Sequence, residues 1–513
     1  MNWLPGIHRW CVAGRAWPRV VLLAGLVAAC SEGEPTPGHV EQEPAPEAAR
    51  APQPLARNVV LVVVDTLRAD RLGCYGYPRG TSPSIDAWAE GGTLYEDSRG
   101  QGAWTRPSMI SMMSGSYVTA LEELVPPELP TLAEVISESG KATVAMVGNK
   151  ILVGDRGFQR GFDEFEGPKV RSVAQGIFRQ FYEWYGRNEA DLDEGPGFFA
   201  WLHVMDPHTP RNPSPKHRAA LTGPDPMAEQ LMAEWAKFDL GPNGRNAAPG
   251  KLSFDEATAE MLEDRSDYDA AVRGLDESFA TLLAFLEKQG ELEDTLVILT
   301  SDHGEELYQL PRVPQELRRM RRLGGLKRNV KDLVSFGHGS TFQEEIWHLP
   351  LIFVGPGFPA GERREGLAAN LDIFPTILEA LGVAAPDHLA GGSLSGGATP
   401  DREQVFGFTH GMLAVKDARG LKLVDRTDWR DYKRFEAADR DDAADGSPLE
   451  LYDLNDPNGD AINVAAERDR EVRFLSEALA RWKAQHGRKI TESGISERDL
   501  EALRELGYLG DDG

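Results

Sequence analysis

The sequence predicts an α/β fold built on a doubly wound, mostly parallel sheet, on three observations. Continuous β-branched and apolar runs recur along the chain at Val59–Val64, Thr143–Val147, Phe198–Val204, Thr295–Thr300 and Leu349–Val354. Such runs mark strands buried on both faces of a parallel sheet. Helix-like stretches such as Leu132–Ser139 and Tyr268–Gln289 lie between several of them, the alternation that covers a sheet with helices. Polar residues fall immediately past the ends of the runs: Asp65, then Asp206 and His208, then Asp302 and His303. Open α/β sheets bind their ligands at that edge.

The chain opens on a different texture. Arg9, Arg15 and Arg19 precede an apolar run from Val20 to Ala29, too short to span a bilayer but suited to a secretory signal over residues 1–29. The run ends Val27-Ala28-Ala29-Cys30, which resembles a bacterial lipobox. That resemblance implies cleavage before Cys30, acylation of Cys30, and a lipid anchor at the bacterial cell envelope; Ser31 resembles the second residue of lipoproteins sorted to an outer membrane. Cys11 leaves with the signal, so Cys74 stands alone and no disulfide framework is expected. Residues 30–57 interleave prolines with glutamates, cannot bury enough apolar surface to fold, and read as a disordered, stiff tether.

Order begins at Asn58. With 513 residues, one ordinary compact core is exceeded, and a large domain with a smaller one appended is expected. Residues 58–400 read as the large domain. Within it, Trp104-Thr105-Arg106-Pro107-Ser108-Met109-Ile110 reads as a loop feeding a helix, with proline favoured at the first helical position. The start of that helix offers unpaired N–H groups and a positive dipole end, suited to an anion or a developing alkoxide. Met109, Ile110, Met112 and Met113, spaced by three and four, read as a packed face. After Pro400 come short strands at Val405–Thr409, Leu413–Lys416, Leu421–Val424 and Leu449–Leu454 and a helix from about Ala466 to His486. They predict a small antiparallel subdomain over 401–486, followed by a tail over 487–513.

The net charge of −26, from 55 basic and 81 acidic side chains, argues against nucleic acid or anionic lipid as partners held by bulk charge. One segment runs against it: Arg312, Arg318, Arg319, Arg321, Arg322, Lys327, Arg328 and Lys331 crowd residues 311–331. Two readings stand, a solvated insertion and a lid that steers an anionic substrate. The acidic stretch Asp428–Asp445 reads as a solvated loop.

The chemistry follows from the strand ends. A carboxylate at the end of a buried strand is costly unless paired or bound to a cation. Asp65 ends one run, and Asp302-His303 ends another. Two carboxylates and an imidazole on neighbouring strand ends make a divalent-metal site. The hydroxyl of Thr105 beside that ion would be a nucleophile.

These motifs together carry a resemblance. Asn58–Tyr77, Ser82–Asp86, Trp104–Gly115, Gly157–Asp163, Leu202–Pro210, Thr300–Glu305, Phe336–Gly357 and Glu450–Ala465 resemble, in order, the motifs of the sulfatase family of the alkaline phosphatase superfamily. The resemblance implies an alkaline-phosphatase-like fold: a large mixed, mostly parallel sheet flanked by helices, plus a C-terminal antiparallel subdomain. It implies one divalent cation (Ca²⁺, Mn²⁺, Mg²⁺ or Zn²⁺) on Asp65, Asp302 and His303, with Thr105 as the nucleophile that also contacts the metal. His208 and His338 take the positions that contact the transferred group or protonate the leaving oxygen, a role suited to imidazole. Asn149 stands where a lysine is usual, with Lys150 after it. Asn149 and His203 are the candidate substrate contacts, although a strand histidine is more often a satisfied core residue.

The departures from the family pattern are as informative. The nucleophile signature starts with Thr105 in place of the Cys or Ser that matures to formylglycine; Met109 replaces its arginine, and Thr66 replaces a second metal-binding Asp. Threonine is what phosphorus-directed relatives use. The resemblance therefore implies a hydrolase for an anionic sulfate or phosphate ester. It leaves two alternatives: a phosphodiesterase or phosphoglycerol- or phosphoethanolamine-type transferase of the cell envelope, and a catalytically degenerate binding lipoprotein.

Overall fold

The computed structural model describes residues 53–119, 124–168, 173–226, 228, 254–307, 337–339, 341–399, 401–428, 447–456 and 459–487, the side chains of 254–258 excepted. The signal segment, Cys30, most of the tether, the basic stretch 311–331, nearly all of Asp428–Asp445 and nearly all of the tail lie outside the described residues. Among the described residues no helix is long and apolar enough to cross a membrane.

Strand β1 (Asn58–Val64) is buried at every position and lies at the centre of a nine-stranded sheet. On one side it pairs in parallel with β5 (Phe198–Val204), followed by β3 (Ala142–Val147) and β4 (Glu164–Glu166). On the other it pairs in parallel with β6 (Thr295–Ser301), followed by β8 (Leu351–Val354), β2 (Thr93–Arg99) and β7 (His348–Leu349), with β9 (Glu362–Ala369) also paired to β2. The unbroken Val/Leu run of β1 is explained by its two faces. Val59, Leu61 and Val63 point into one core, and Val60, Val62 and Val64 into another, the period-two alternation of a strand. Helices α1 (Pro83–Ala89), α4 (Ala174–Glu194) and α5 (Phe254–Lys288) cover the second core; α2 (Thr105–Ser114), α3 (Leu132–Ser137) and α6 (Ile373–Ala380) cover the first. The methionines of α2 are buried in that first core.

Several expectations need correction. The run Leu349–Val354 is not one parallel strand. Pro350 has no N–H to donate, and the segment splits into β7 and β8, which run antiparallel to β2 and β6. Helix α2 begins at Thr105 itself, so Pro107 is its third residue, not its first. Pro107 is tolerated there because the first four helical N–H groups have no intrahelical partner. Helix α3 stops at Ser137, two residues early, and its start is fixed by a capping box between Thr131 and Glu134. The stretch Tyr268–Gln289 coincides, up to Lys288, with the C-terminal part of the 35-residue helix α5.

The C-terminal part forms an antiparallel sheet in chain order: β10 (Gln404–Thr409), β11 (Met412–Asp417), β12 (Leu421–Asp425) and β13 (Leu449–Asp453), with helix α7 (Asp469–His486) packed on β11 and β12. Strand β2 went unpredicted because it carries Glu96, Asp97 and Arg99. Two of these charges join the sheets. Lys416 on β11 bonds Asp97 at 2.5 Å, and Arg99 bonds Asp97 at 2.7 Å and Glu344 at 2.6 Å. Lys422 on β12 is fully buried and donates to the Phe342 carbonyl at 2.8 Å, to Glu344 at 3.2 Å and to Asp460.

Removing one partner of such a network strands the opposite charges in a site of low dielectric. The Lys422→Ala variant should lose about 3 kcal/mol of stability, read as a lower urea midpoint. A loss below about 1 kcal/mol, typical of a surface pair, would contradict the role given to Lys422.

Candidate active site

The site grows out of the pairing of β1 and β6. Val64 and Ser301 are register partners in parallel strands, so the next residues, Asp65 and Asp302, emerge side by side at the same edge. Ser301 ties the two exits together: its hydroxyl oxygen lies 2.6 Å from both the Val64 and His303 carbonyls and accepts from Leu67 N–H at 3.0 Å. Thr66 sits at φ 62°, a left-handed conformation that a β-branched residue rarely takes. The Tyr268 hydroxyl holds it there by donating to the Thr66 carbonyl at 2.7 Å. In this conformation Thr66 N–H donates to Asp302 Oδ1 at 3.3 Å. Gly304 lets the loop after His303 lie against the chain at Glu345, whose carbonyl oxygen a Cβ would strike.

Ligand atoms of Asp65, Asp302 and His303 all lie within 4.8 Å of one another, and all three residues are fully buried. The Thr105 hydroxyl is 3.5 Å from Asp65 Oδ2 and 3.2 Å from His303 Nε2. Four side chains from three distant segments therefore meet at one rim of the sheet. His303 Nδ1 donates to the Gly304 carbonyl at 2.9 Å, which leaves the Nε2 lone pair facing the carboxylates, 3.6 Å from Asp65 Oδ1 and 3.5 Å from Asp302 Oδ2. Two atoms each about 2.1 Å from one ion can be at most about 4.2 Å apart, and these separations fall within that limit. Asp65 Oδ1 and Asp302 Oδ2 are buried and accept no hydrogen bond among the described residues. A pair of facing, buried carboxylates with unused oxygens, an imidazole lone pair and a hydroxyl is a donor set that fits a divalent cation.

Beside this triad stands a second constellation. The rings of His208 and His338 are 5.1 Å apart, and His338 is 4.4 Å from His303. His338 Nδ1 donates to Glu305 Oε1 at 2.9 Å, and Arg211 donates to Glu305 Oε2 at 3.0 Å and to Asp264 at 2.6 Å. Burial works to lower the His338 ring, yet the Glu305 charge prevails and raises it above its ordinary 6.5. Burial works to raise the Glu305 carboxyl; His338, Arg211 and His208 overcome it and hold the group at about 2. Nothing local in the sequence links Glu305 to Arg211, 94 residues apart, so neither role is legible before folding.

The C-terminal sheet reaches the same region. His410, in the β10–β11 turn, has φ 38°, donates from Nδ1 to the Gly339 carbonyl at 2.7 Å and stacks on Trp104 with centroids 5.0 Å apart. It thus braces both the residue before Thr105 and the residue after His338; no sequence signal marked it.

Of the expected substrate contacts, Asn149 is fully buried and donates to Asp65 Oδ2 at 2.7 Å while its own carbonyl accepts from Ile151 N–H. His203 lies within β5, fully buried, between Val63 and Val147 on the neighbouring strands. It is not a satisfied core histidine: neither ring nitrogen has a hydrogen-bond partner among the described residues. Lys150 is exposed. Cys74 is half-buried, and burial raises its thiol well above the usual range, which keeps it protonated and unreactive.

Comparison with known proteins bears on the family and the fold. A family profile described as Sulfatase matches residues 57–383. Human arylsulfatase A is 27% identical over 351 residues, covering 64% of this chain and 65% of its own. A low-salt glycan biosynthesis sulfotransferase of Haloferax volcanii is 26% identical over 331 residues, covering 63% of this chain and 61% of its own. The chain thus spans a little under two-thirds of the length of these relatives. A protein solved in complex with its substrate D-glucosamine-2-N,6-O-disulfate superposes with a TM-score of 0.62 at 17% identity, over 84% of this chain and 98% of that one. The phosphonate monoester hydrolase of Silicibacter pomeroyi superposes with a TM-score of 0.58 at 19% identity, over 86% and 98%. Those superpositions establish the alkaline-phosphatase-like fold, and because the profile spans more than half of its length, the chain belongs to the sulfatase family.

Proposed function

We propose that this protein is a cation-dependent hydrolase of sulfate or phosphate esters in which Thr105 is the nucleophile. The observation that carries the reading is the convergence of the Thr105 hydroxyl on Asp65 and His303 at 3.5 and 3.2 Å. Asp65, Asp302 and His303 would hold the divalent ion, which when bound neutralises charge on the nonbridging oxygens of the ester. The N-terminus of α2 adds its dipole at the same point. Thr105 Oγ1 attacks the sulfur or phosphorus, and Asp65 Oδ2 is placed to receive its proton. The bond to the leaving alkoxide breaks as the new ester bond to Thr105 forms. His338, kept protonated by Glu305, or His208 beside it gives the alkoxide its proton. Water then displaces the threonine ester and restores the hydroxyl.

The chemistry of threonine favours phosphorus. A formylglycine hydrate can expel sulfate by collapsing to an aldehyde, whereas a threonine ester must be displaced at the central atom. Asn149 in place of lysine and Met109 in place of arginine also lower the positive charge, which suits a monoanionic diester or phosphonate monoester over a dianionic monoester. A similar protein of Trinickia caryophylli is described as multifunctional within the alkaline phosphatase superfamily, and the phosphonate monoester hydrolases share the fold. Transfer to an envelope acceptor is the second reading, supported by the sulfotransferase among the relatives. The Val27–Cys30 run supports a lipid-anchored location on the envelope.

The purified protein should turn over a phosphodiester or phosphonate monoester faster than an aryl sulfate or a phosphate monoester with Mn²⁺ or Ca²⁺ present, and lose activity to a chelator. Thr105→Ala should lower kcat by at least about 10³-fold while retaining the cation. Full activity in that variant, or no turnover of any of the four substrates, would rule out the mechanism; cation binding without turnover would instead favour a degenerate binding protein. A second expectation concerns acid stability. The depressed Glu305 value means that its stabilising contribution is complete above its ordinary 4.5 and is lost as pH falls toward 2. Glu305→Gln should be less stable than wild type by about 2 kcal/mol at neutral pH, and chemical denaturation should show the gap closing between pH 4.5 and 2. A gap that stays constant across that window would contradict the ion-pair account.

A further inference from the structure

We infer that Tyr268 is a positioning residue for the cation site: its hydroxyl holds Thr66 in the left-handed turn that sets Asp65 and Asp302 against each other. The inference rests on the cation-dependent reading above and deepens it to a side chain outside the triad.

The Asp65 N–H donates to the Val204 carbonyl of β5 at 2.9 Å, so the chain is still tied to the sheet where the acid begins. One residue later the backbone leaves the sheet at Thr66, with φ 62°. A left-handed residue is ordinarily glycine, or an asparagine or aspartate whose short side chain bonds locally. Thr66 is β-branched, and its own hydroxyl is buried with no hydrogen-bond partner among the described residues. The turn is therefore not favoured by the residue that makes it, and its neighbours must hold it. Leu67 N–H donates to the Ser301 hydroxyl at 3.0 Å. The Tyr268 hydroxyl does more: it donates to the Thr66 carbonyl at 2.7 Å and accepts from Arg68 N–H at 2.9 Å, bridging the turn. The phenol is itself well fixed. Tyr268 is fully buried in the core beneath α5, and the Arg211 guanidinium lies over its ring, 5.3 Å from the centroid.

The effect reaches the triad through one amide. In its left-handed conformation Thr66 donates N–H to Asp302 Oδ1 at 3.3 Å, which joins the exit of β1 to the acid at the exit of β6. Without the Tyr268 bond, Thr66 relaxes toward the negative φ that a β-branched residue prefers. Its amide then turns from Asp302, and the two carboxylates lose their common orientation. A cation would have to organise the site as it binds, and affinity falls by the cost of that ordering.

The test is a double-mutant cycle between Tyr268 and Thr66. The full-length protein is titrated with Mn²⁺, Ca²⁺ or Zn²⁺, each alone, and affinity is read by competition against a chromophoric chelator. Tyr268→Phe keeps the ring, removes only the hydroxyl, and should weaken cation binding about 10–100-fold. Thr66→Gly should bind as the wild type does, because glycine takes a positive φ without strain. Tyr268→Phe combined with Thr66→Gly should recover most of the lost affinity, a rescue that a merely structural role for the phenol does not give. Unchanged affinity in Tyr268→Phe, or a loss that Thr66→Gly leaves uncorrected, overturns the role of Tyr268 and leaves the triad standing. A wild type that binds none of the three cations overturns this role and the cation-dependent reading together. If Tyr268→Phe does not fold, the double variant decides: a folded protein that binds the cation supports the role, and an unfolded one overturns it.

Discussion

The buried juxtaposition of Asp65 and Asp302 is the constraint around which the rest is arranged. Two like charges at neighbouring strand ends, out of water, repel each other and are each expensive to bury. Everything nearby offsets that expense. Asn149 donates to one carboxylate, the Thr66 and His303 amides donate to the other, and the His303 ring stands between them. The strained backbone of Thr66, pinned by Tyr268, is one part of that arrangement. Strain of this kind persists where surrounding structure over-determines it, commonly at functional sites. The oxygens left without donors are the ones that face the gap a cation would fill.

A second layer of polar structure sets the charge state of the outer histidines. Arg211 fixes Glu305, and Glu305 in turn orients His338 through Nδ1. The ring is thereby biased toward its protonated form, as an acid for a leaving alkoxide requires. Asp302 and His303 of the triad share the single short segment Asp302–Glu305 with this relay, so the two parts of the site cannot move independently. The C-terminal sheet adds a third constraint through His410, which touches the approach to Thr105 and the loop of His338.

Much of this was legible in the chain, for reasons that can be named. The run Val59–Val64 announces a central strand because both of its faces are apolar. Any one acid just past such a run is usually a turn or cap residue, so Asp65, Asp302 and His303 are legible as candidates only together, and Thr105 because it stands at a proline-marked helix start. Strands β2 and β9 were not legible, since their charges look like loop. Only in the fold does Asp97 meet Lys416, 319 residues away. Arg211, Glu305 and His410 share no spacing that a reader could recognise. His203 illustrates the deepest limit: a strand histidine with partners and one without them have the same sequence signature, and only coordinates tell them apart.

The pairing of Val64 with Ser301 has a consequence for how such a protein can change. Side chains alternate faces along a strand, so a one-residue insertion or deletion in β1 or β6 would turn one carboxylate to the opposite side of the sheet. The distance from the last shared rung to each acid is thus a fixed length, indifferent to side-chain identity further down the strand. Variation in what the protein acts upon has to be written into the loops around this rim, because the two strands beneath it tolerate replacement of residues but not a change in their number.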